Sequence, residues 1–443
     1  VTTRTVHETL PSAFIRDALY DRIPLYPHER RLISSLPFLR LDRIQQLGFV
    51  SRIWPGAKHT RYEHSLGVMH LTRRAVEHLS LRYPEAPFTP ADAATVVAAA
   101  ALHDIGHYPF SHAIEELGDP VLSHEEVGQW LITRDPVAKL LEEDWHVSPQ
   151  RVADLVVGAI PDDAPADQLL SGLLSGTLDM DKLDYLPRDA HACSVPYGGV
   201  DAERLLDALA IATIPGTSQS QRLVISGKGI SPLHSLINAR QEMFDNVYWH
   251  HTNRACMIML LRAVQEALLA GAITAQDLTN HDDASFLATM RQQSMPEATR
   301  RLGDALAERR IHKRAVEVSA RASELYNRLG VLWYEPQRRR DIERKLSTGL
   351  AGILGEAVPD TAVLIDIPKP ERWKTDVWVT FENPPVGFRR IMPWRDVAGM
   401  GDEDFKRYEE HRRMIRIVVE ERYRTTMLEH WERLVYPALG GVV

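Results

Sequence analysis

Ala98-Ala-Ala-Ala-Leu102-His103-Asp104-Ile-Gly106-His107-Tyr-Pro-Phe-Ser-His112 runs from an unbroken apolar stretch straight into an imidazole and a carboxylate. Upstream, Thr89-Pro90 supplies a cap and a first turn, and Gly106 supplies a stop. The spacing therefore predicts a helix with His103 and Asp104 in its last turn. A helix that is apolar on every side belongs inside a protein, and a charge at its end is costly to bury without a partner. Further back, apolar residues recur at helical spacing from Ser65 (Leu66, Met69, Leu71, Val76, Leu79), with His64 opening that earlier helix. Two antiparallel helices of this kind bring His64 beside His103 and Asp104.

Asp181 extends these three to a His…His-Asp…Asp order. Neutral imidazole nitrogens combined with hard carboxylate oxygens suit one divalent ion (Mn, Fe, Mg or Zn) and leave coordination positions open for water and phosphate. One histidine-aspartate pair in isolation is more often ordinary core or surface chemistry. Here nine of the nineteen histidines fall between His59 and His146, in and beside apolar helices, and that density favours a site.

Five stretches in fixed order carry a resemblance: His59-Thr-Arg61-Tyr-Glu-His64-Ser-Leu-Gly, Leu102 to His112, His124-Glu125, Leu178-Asp-Met-Asp181-Lys182-Leu-Asp-Tyr185-Leu-Pro-Arg-Asp189, and Ala239-Arg240 through Tyr248-Trp-His250. Across roughly the first 250 residues the chain resembles the HD-domain phosphohydrolases, and within them the deoxynucleoside triphosphate triphosphohydrolases. The resemblance implies that His64, His103, Asp104 and Asp181 hold the metal. It places Arg61, His107, Lys182 and Arg240 against the phosphates, and His112, His124 and Glu125 in an acid-base group. It gives Gln46 and Asp189 to the sugar 3′-hydroxyl, Tyr185 to the face of the ribose where a 2′-hydroxyl would stand, and Leu47 and Tyr248 to the base. The sequence does not divide nucleophile activation from leaving-group protonation. It departs from the family where an activating guanine nucleotide is read: Ser34 and Asp42 replace the expected acidic residue and arginine, and Ala13 stands where a basic residue is common. Guanine-nucleotide activation of that type is expected to be lost or altered.

Composition narrows the remaining classes. With 443 residues, 44% of them apolar and 25% charged, the chain is long enough for one large core or two domains. Its formal charge of −8, from 60 acidic and 52 basic residues, gives no broad basic face for nucleic acid. Two cysteines, Cys193 and Cys256, cannot make a multi-bridge secreted scaffold and fit a reducing cytoplasm. The start, Val1-Thr-Thr-Arg-Thr-Val-His7, lacks an apolar signal core, and no membrane span is expected.

The expected fold is mainly α: an HD-domain helical core with a small C-terminal α+β subdomain. Residues 1–50 are expected to form an N-terminal segment contributing to the site and to an interface, 51–355 the catalytic core, and 356–443 the subdomain. Helices are expected to start near Ser123, Ser148, Leu169, Asp179 and Asp201, with one strand-like interruption from Arg222 to Ser226. Strands follow at Thr361 to Ile367, Asp376 to Phe381 and Arg413 to Val419, and an amphipathic helix at Glu420 to Tyr436. The leading expectation is hydrolysis of a deoxynucleoside triphosphate to deoxynucleoside and triphosphate by a homo-oligomer, dimer or tetramer. The alternatives are an HD phosphohydrolase acting on a nucleoside monophosphate, a cyclic nucleotide or a nucleic-acid end, and a nucleotide-binding regulator without turnover.

Overall fold

Glu63 accepts the Thr60 N–H at the start of α1 (Arg61–Arg82), while Thr89, Asp92 and Pro90 cap and open α2 (Pro90–Leu102). Ala98 to Leu102 are fully buried, as an all-apolar helix end requires. The start of α1 and the end of α2 meet, because the two helices run antiparallel. α2 stops at Leu102, so His103 is the residue that leaves the helix and Asp104 sits in the turn after it. The computed structural model describes residues 10–215, 221–369, 376–400, 404 and 413–440; the opening stretch read for a signal core lies outside them.

Around this pair pack α3 (His124–Ile132), capped by Ser123, α4 (Pro149–Val157), capped by Ser148, and α5 (Met180–Cys193), whose cap Asp179 accepts the Lys182 N–H. The expected helix at Leu169 is a short one, Pro165–Leu170. The run from Ser231 to Leu269 forms α6 (Ile230–Met243) and α7 (His251–Leu269), joined by a single wide turn over Phe244–Tyr248. α8 (Glu297–Ala307) covers the other side of α7. No helix among the described residues is long and apolar enough to cross a membrane.

Strands are more numerous than the sequence led us to expect. An antiparallel hairpin, β1 (Ala13–Asp17) and β2 (Asp21–Leu25), precedes the helical core. β3 (Leu209–Thr213) takes over where the helix from Asp201 was expected to continue, since its small apolar residues gain a partner in β4 (Gln221–Ser226). The later strands split between two sheets. β5 (Lys313–Ser319) pairs with β9 (Met414–Val419), which pairs with β6 (Val363–Asp366). β7 (Trp378–Thr380) and β8 (Ile391–Pro393) instead extend the β3-β4 sheet, β7 lying parallel to β4. α9 (Pro336–Leu354) and α10 (Arg424–Ala438) close the β5-β9-β6 sheet into an α+β layer with its own apolar core.

That layer is tied to the helical core by buried arginines, among them Arg262 of α7, which pairs with Glu343 of α9, and Arg254. Arg254 on α7 donates to Asp366 of β6 at 2.7 Å and to Glu116 at 2.8 Å. Removing one member of such a buried group costs about 3–5 kcal/mol, because its partners are left charged and dry.

Candidate functional site

Two imidazoles converge where α1 and α2 meet. His64 Nδ1 donates to Asp184 Oδ2 at 2.7 Å and His103 Nδ1 donates to the Ala100 carbonyl at 2.8 Å, so both rings turn Nε2 to the meeting point, where a bound cation would take the place of the proton that His64 Nε2 gives to Asp181. Those two Nε2 atoms stand 3.3 Å apart. Asp181, at the start of α5, brings Oδ1 to 2.9 Å from His64 Nε2 and 3.8 Å from His103 Nε2. Asp104 stands slightly further out, with Oδ1 3.4 Å from His103 Nε2 and Oδ2 3.7 Å from His64 Nε2, because Arg61 Nη1 holds Oδ2. His64, His103 and Asp181 are a converging donor set that fits one divalent cation, while Asp104, expected as the fourth ligand, stands outside that set with Oδ2 held by Arg61. Burial would raise both carboxyls, yet the hydrogen bond from His64 holds Asp181 at about 2, and the Arg61 guanidinium holds Asp104 well below the usual range.

The support behind His64 was not foreseen. Asp184 is fully buried and accepts from Arg188 Nε and Nη2, both at 2.8 Å, and from Tyr20 Oη of the β1-β2 turn at 2.8 Å. Arg188 in turn donates to Asp17 at 2.8 Å. Asp184 approaches α1 where that helix carries Gly67: a Cβ there would lie 1.8 Å from Asp184 Oδ1. The signal was present in the sequence, since Asp184 follows Asp181 by three residues and shares its helix face.

The second group gathers on the turn Ser111–Leu117 and the first residue of α3. Glu115 is its centre: the Nδ1 atoms of His124, His112 and His107 lie 3.1, 3.5 and 3.7 Å from its carboxylate. The His107 and His124 rings stack with centroids 3.9 Å apart. Glu125, expected as the carboxylate of this group, stands 3.4 Å from His124 Nδ1 at a half-exposed position. Glu115 had no part in the sequence reading, although it follows His112 by three residues on the same turn. Burial opposes every charge here. The contact with Glu115 nonetheless raises the proton affinity of His124, and hydrogen bonds from His112 and His124 hold Glu115 well below the carboxylate range. His107 stays neutral, lowered by burial and by the Arg61 and His124 charges. Gly106 permits the close packing of α3, since a Cβ there would meet the His124 carbonyl at 2.1 Å.

Between these groups and α7 lies a cavity of about 300 Å³ lined by Gln46, Leu47, His112, Tyr185, Arg240 and Tyr248, together with Phe110, Trp249 and Met257. The Tyr185 ring sits between the two regions, 6.4 Å from His64 and 6.3 Å from Tyr248 by ring centroid. Burial pushes its hydroxyl up to about 12, so it is a neutral phenol. Other expected residues face elsewhere. Asp189 is buried with both oxygens engaged, one by His59 Nε2 and one by Tyr248 Oη, each at 2.7 Å, so it braces the Tyr248 wall. Lys182 Nζ donates to Asp179 at 2.6 Å and to the Gly176 carbonyl at 2.9 Å. Arg61 is buried between Asp104 and Ser111, whose Oγ accepts from its Nε at 3.1 Å.

A family model described as the HD domain matches residues 61–156, and one described as the HD associated region matches residues 200–386. The chain carries an HD domain followed by an HD-associated region. An uncharacterized protein of Methanocaldococcus jannaschii is 31% identical over 277 residues, 62% of this chain and 54% of that one. The deoxynucleoside triphosphate triphosphohydrolase SAMHD1 of Gallus gallus is 25% identical over 413 residues, 85% of this chain and 64% of that one. The chain spans about half the length of the first curated relatives it matches. The fold is shared with a phosphohydrolase from Bacteroides thetaiotaomicron, at a TM-score of 0.69 and 21% identity over 92% of this chain and all of that one.

Proposed function

We propose that this protein is a metal-dependent HD phosphohydrolase and that its substrate is a deoxynucleoside triphosphate, hydrolysed to deoxynucleoside and triphosphate. The observation that carries the reading is the placement of Tyr185, whose ring touches both the His64 side of the metal donors and the Tyr248 wall of the cavity. A sugar lying on that ring has its 5′ side toward the donors and its base toward Tyr248 and Leu47. A phenol packed beneath the sugar leaves a 2′-hydroxyl without room, and stacking contacts to the base tolerate several bases. The similarity to a deoxynucleoside triphosphate triphosphohydrolase over most of the chain supports the same substrate.

His64, His103 and Asp181, with Asp104 beside them, would hold the divalent ion, which when bound polarises the scissile phosphate and lowers the proton affinity of a water. The chain's own residues supply the rest. Arg61 fixes the Asp104 carboxylate, and Arg240 faces the cavity with a cation for the phosphate chain. Glu115 engages the Nδ1 atoms of His112 and His124, which turns the Nε2 atom of each ring away from it. The raised proton affinity of His124 suits it to give a proton to the departing 5′-oxygen as the P–O5′ bond breaks; the water oxygen ends on the triphosphate. A homo-oligomer, dimer or tetramer, belongs to the same reading and is measured by light scattering.

The deciding experiment is metal-reconstituted protein incubated with each dNTP and each NTP, with products resolved by chromatography. Intact triphosphate released from dNTPs and little turnover of NTPs is the expected result. Stepwise orthophosphate, or equal rates on both sugars, refutes the substrate assignment.

A further inference from the structure

Phe110 and Ser111 both occupy the left-handed backbone region, at φ of 59° and 61°, and neither is a glycine. Such a conformation persists only where the surroundings over-determine it. His112 follows this turn directly, so whatever holds the turn also sets where His112 stands. The Phe110 ring stacks on Phe49 with centroids 4.4 Å apart. Ser111 Oγ lies 3.0 Å from the Gln45 carbonyl and 3.2 Å from that of Gln46, and donates toward them.

A third hold comes from a distant part of the chain. Asp283, which opens the helix Asp283–Met290, accepts the Phe110 N–H on Oδ1 at 2.7 Å and the Gln45 N–H on Oδ2 at 3.0 Å. Each oxygen therefore ties down a different strand of the site: one the left-handed turn before His112, the other the residue before Gln46. The base of the contact is itself braced. Arg40 donates to the carbonyls of His107 at 2.8 Å and His281 at 3.0 Å, and Arg43 pairs with Asp282 at 2.8 Å.

We propose that Asp283 is a positioning residue, whose carboxylate clamps the Gln45–Gln46 and Phe110–His112 segments together and so fixes the separation between Gln46 in the cavity and His112 in the histidine group. Its importance for turnover rests on the function proposed above, although Asp283 lines neither the cavity nor the metal donors. Ser111 and Glu115 hold the Gln46 carbonyl and the His112 ring, and Asp283 adds the contact that joins the two segments, one carboxylate oxygen on an amide of each.

Asp283→Asn keeps one acceptor and turns the other oxygen into a donor facing an N–H, while Asp283→Ala removes both. Hydrogen–deuterium exchange at the Gln45 and Phe110 amides is expected to accelerate at least about tenfold in both variants, with the amides of α2 still protected. In the metal-loaded, folded variants kcat is expected to fall about 10- to 100-fold, since a misplacement of about 1 Å costs on that order, with KM changed far less and metal content unchanged. Wild-type kcat in folded Asp283→Asn overturns the proposal, as does unchanged exchange at both amides. If Asp283→Ala does not fold, Asp283→Asn carries the test. Should the wild-type protein hydrolyse no phosphate ester, the proposed function fails, and the exchange measurement still decides whether the clamp exists.

Discussion

Asp184→Asn tests whether the second layer of the metal centre does what its geometry implies. The carboxylate accepts from His64 Nδ1 at 2.7 Å and from Arg188 Nε at 2.8 Å through the same oxygen, Oδ2. An amide nitrogen at that position points its hydrogens at both donors. The imidazole relieves the conflict by keeping its proton on Nε2 alone, which leaves a hydrogen where the metal would bind. Loss of such an outer partner typically weakens metal affinity about 10- to 100-fold, or about 1.4–2.7 kcal/mol, and the forced tautomer argues for the upper end. Stability falls as well, toward the lower part of the roughly 3–5 kcal/mol expected for breaking a buried ion pair, because Arg188 keeps Asp17 at 2.8 Å. Mn affinity measured by chelator competition, beside thermal unfolding of the metal-free protein, separates the two effects. Wild-type metal affinity in a folded Asp184→Asn protein would show that Asp184 does not set the His64 tautomer, and would refute the reasoning.

Gly67→Ala is expected to weaken metal binding without touching a ligand, because the new methyl would lie 1.8 Å from Asp184 Oδ1; an unchanged affinity counts against the proposed support. Glu115→Gln is expected to leave metal binding intact and lower kcat about 10²-fold, and to move the alkaline limb of the kcat–pH profile downward, since Glu115 is what raises His124. The His124 contact stabilises the fold fully below its unfolded value of about 6.5 and loses that contribution as pH rises through the raised folded value, so the stability gap between wild type and Glu115→Gln should narrow in alkali. Tyr185→Ala is expected to bring dNTP and NTP rates closer together; a preserved ratio assigns the sugar preference to another residue. With Ser34 and Asp42 both exposed and unlike the expected guanine readers, turnover of dATP, dCTP and TTP is expected to need no GTP or dGTP, and strong activation by either overturns that expectation.

The helical core and the ligand types were determined by the sequence alone, because both are local. An all-apolar stretch ending in His103-Asp104, with Thr89-Pro90 before it and Gly106 after it, is helix chemistry written within twenty residues. Tertiary structure decided which carboxylate serves which imidazole. Asp184 and Glu115 acquire their roles only when α1 crosses α5 and when α3 packs against the Ser111–Leu117 turn, closures that Gly67 and Gly106 permit for reasons invisible in one dimension. Asp189, expected to meet a sugar, was claimed by His59 and Tyr248 from opposite sides. The strands follow the same division. β9 was legible from its apolar residues, whereas β3 became a strand because β4 lay beside it, and β7 joined that sheet rather than the one that holds β6 and β9. Strand pairing and buried polar contacts are made with partners far along the chain, so their outcome is set by which surfaces meet and not by the residues next in line.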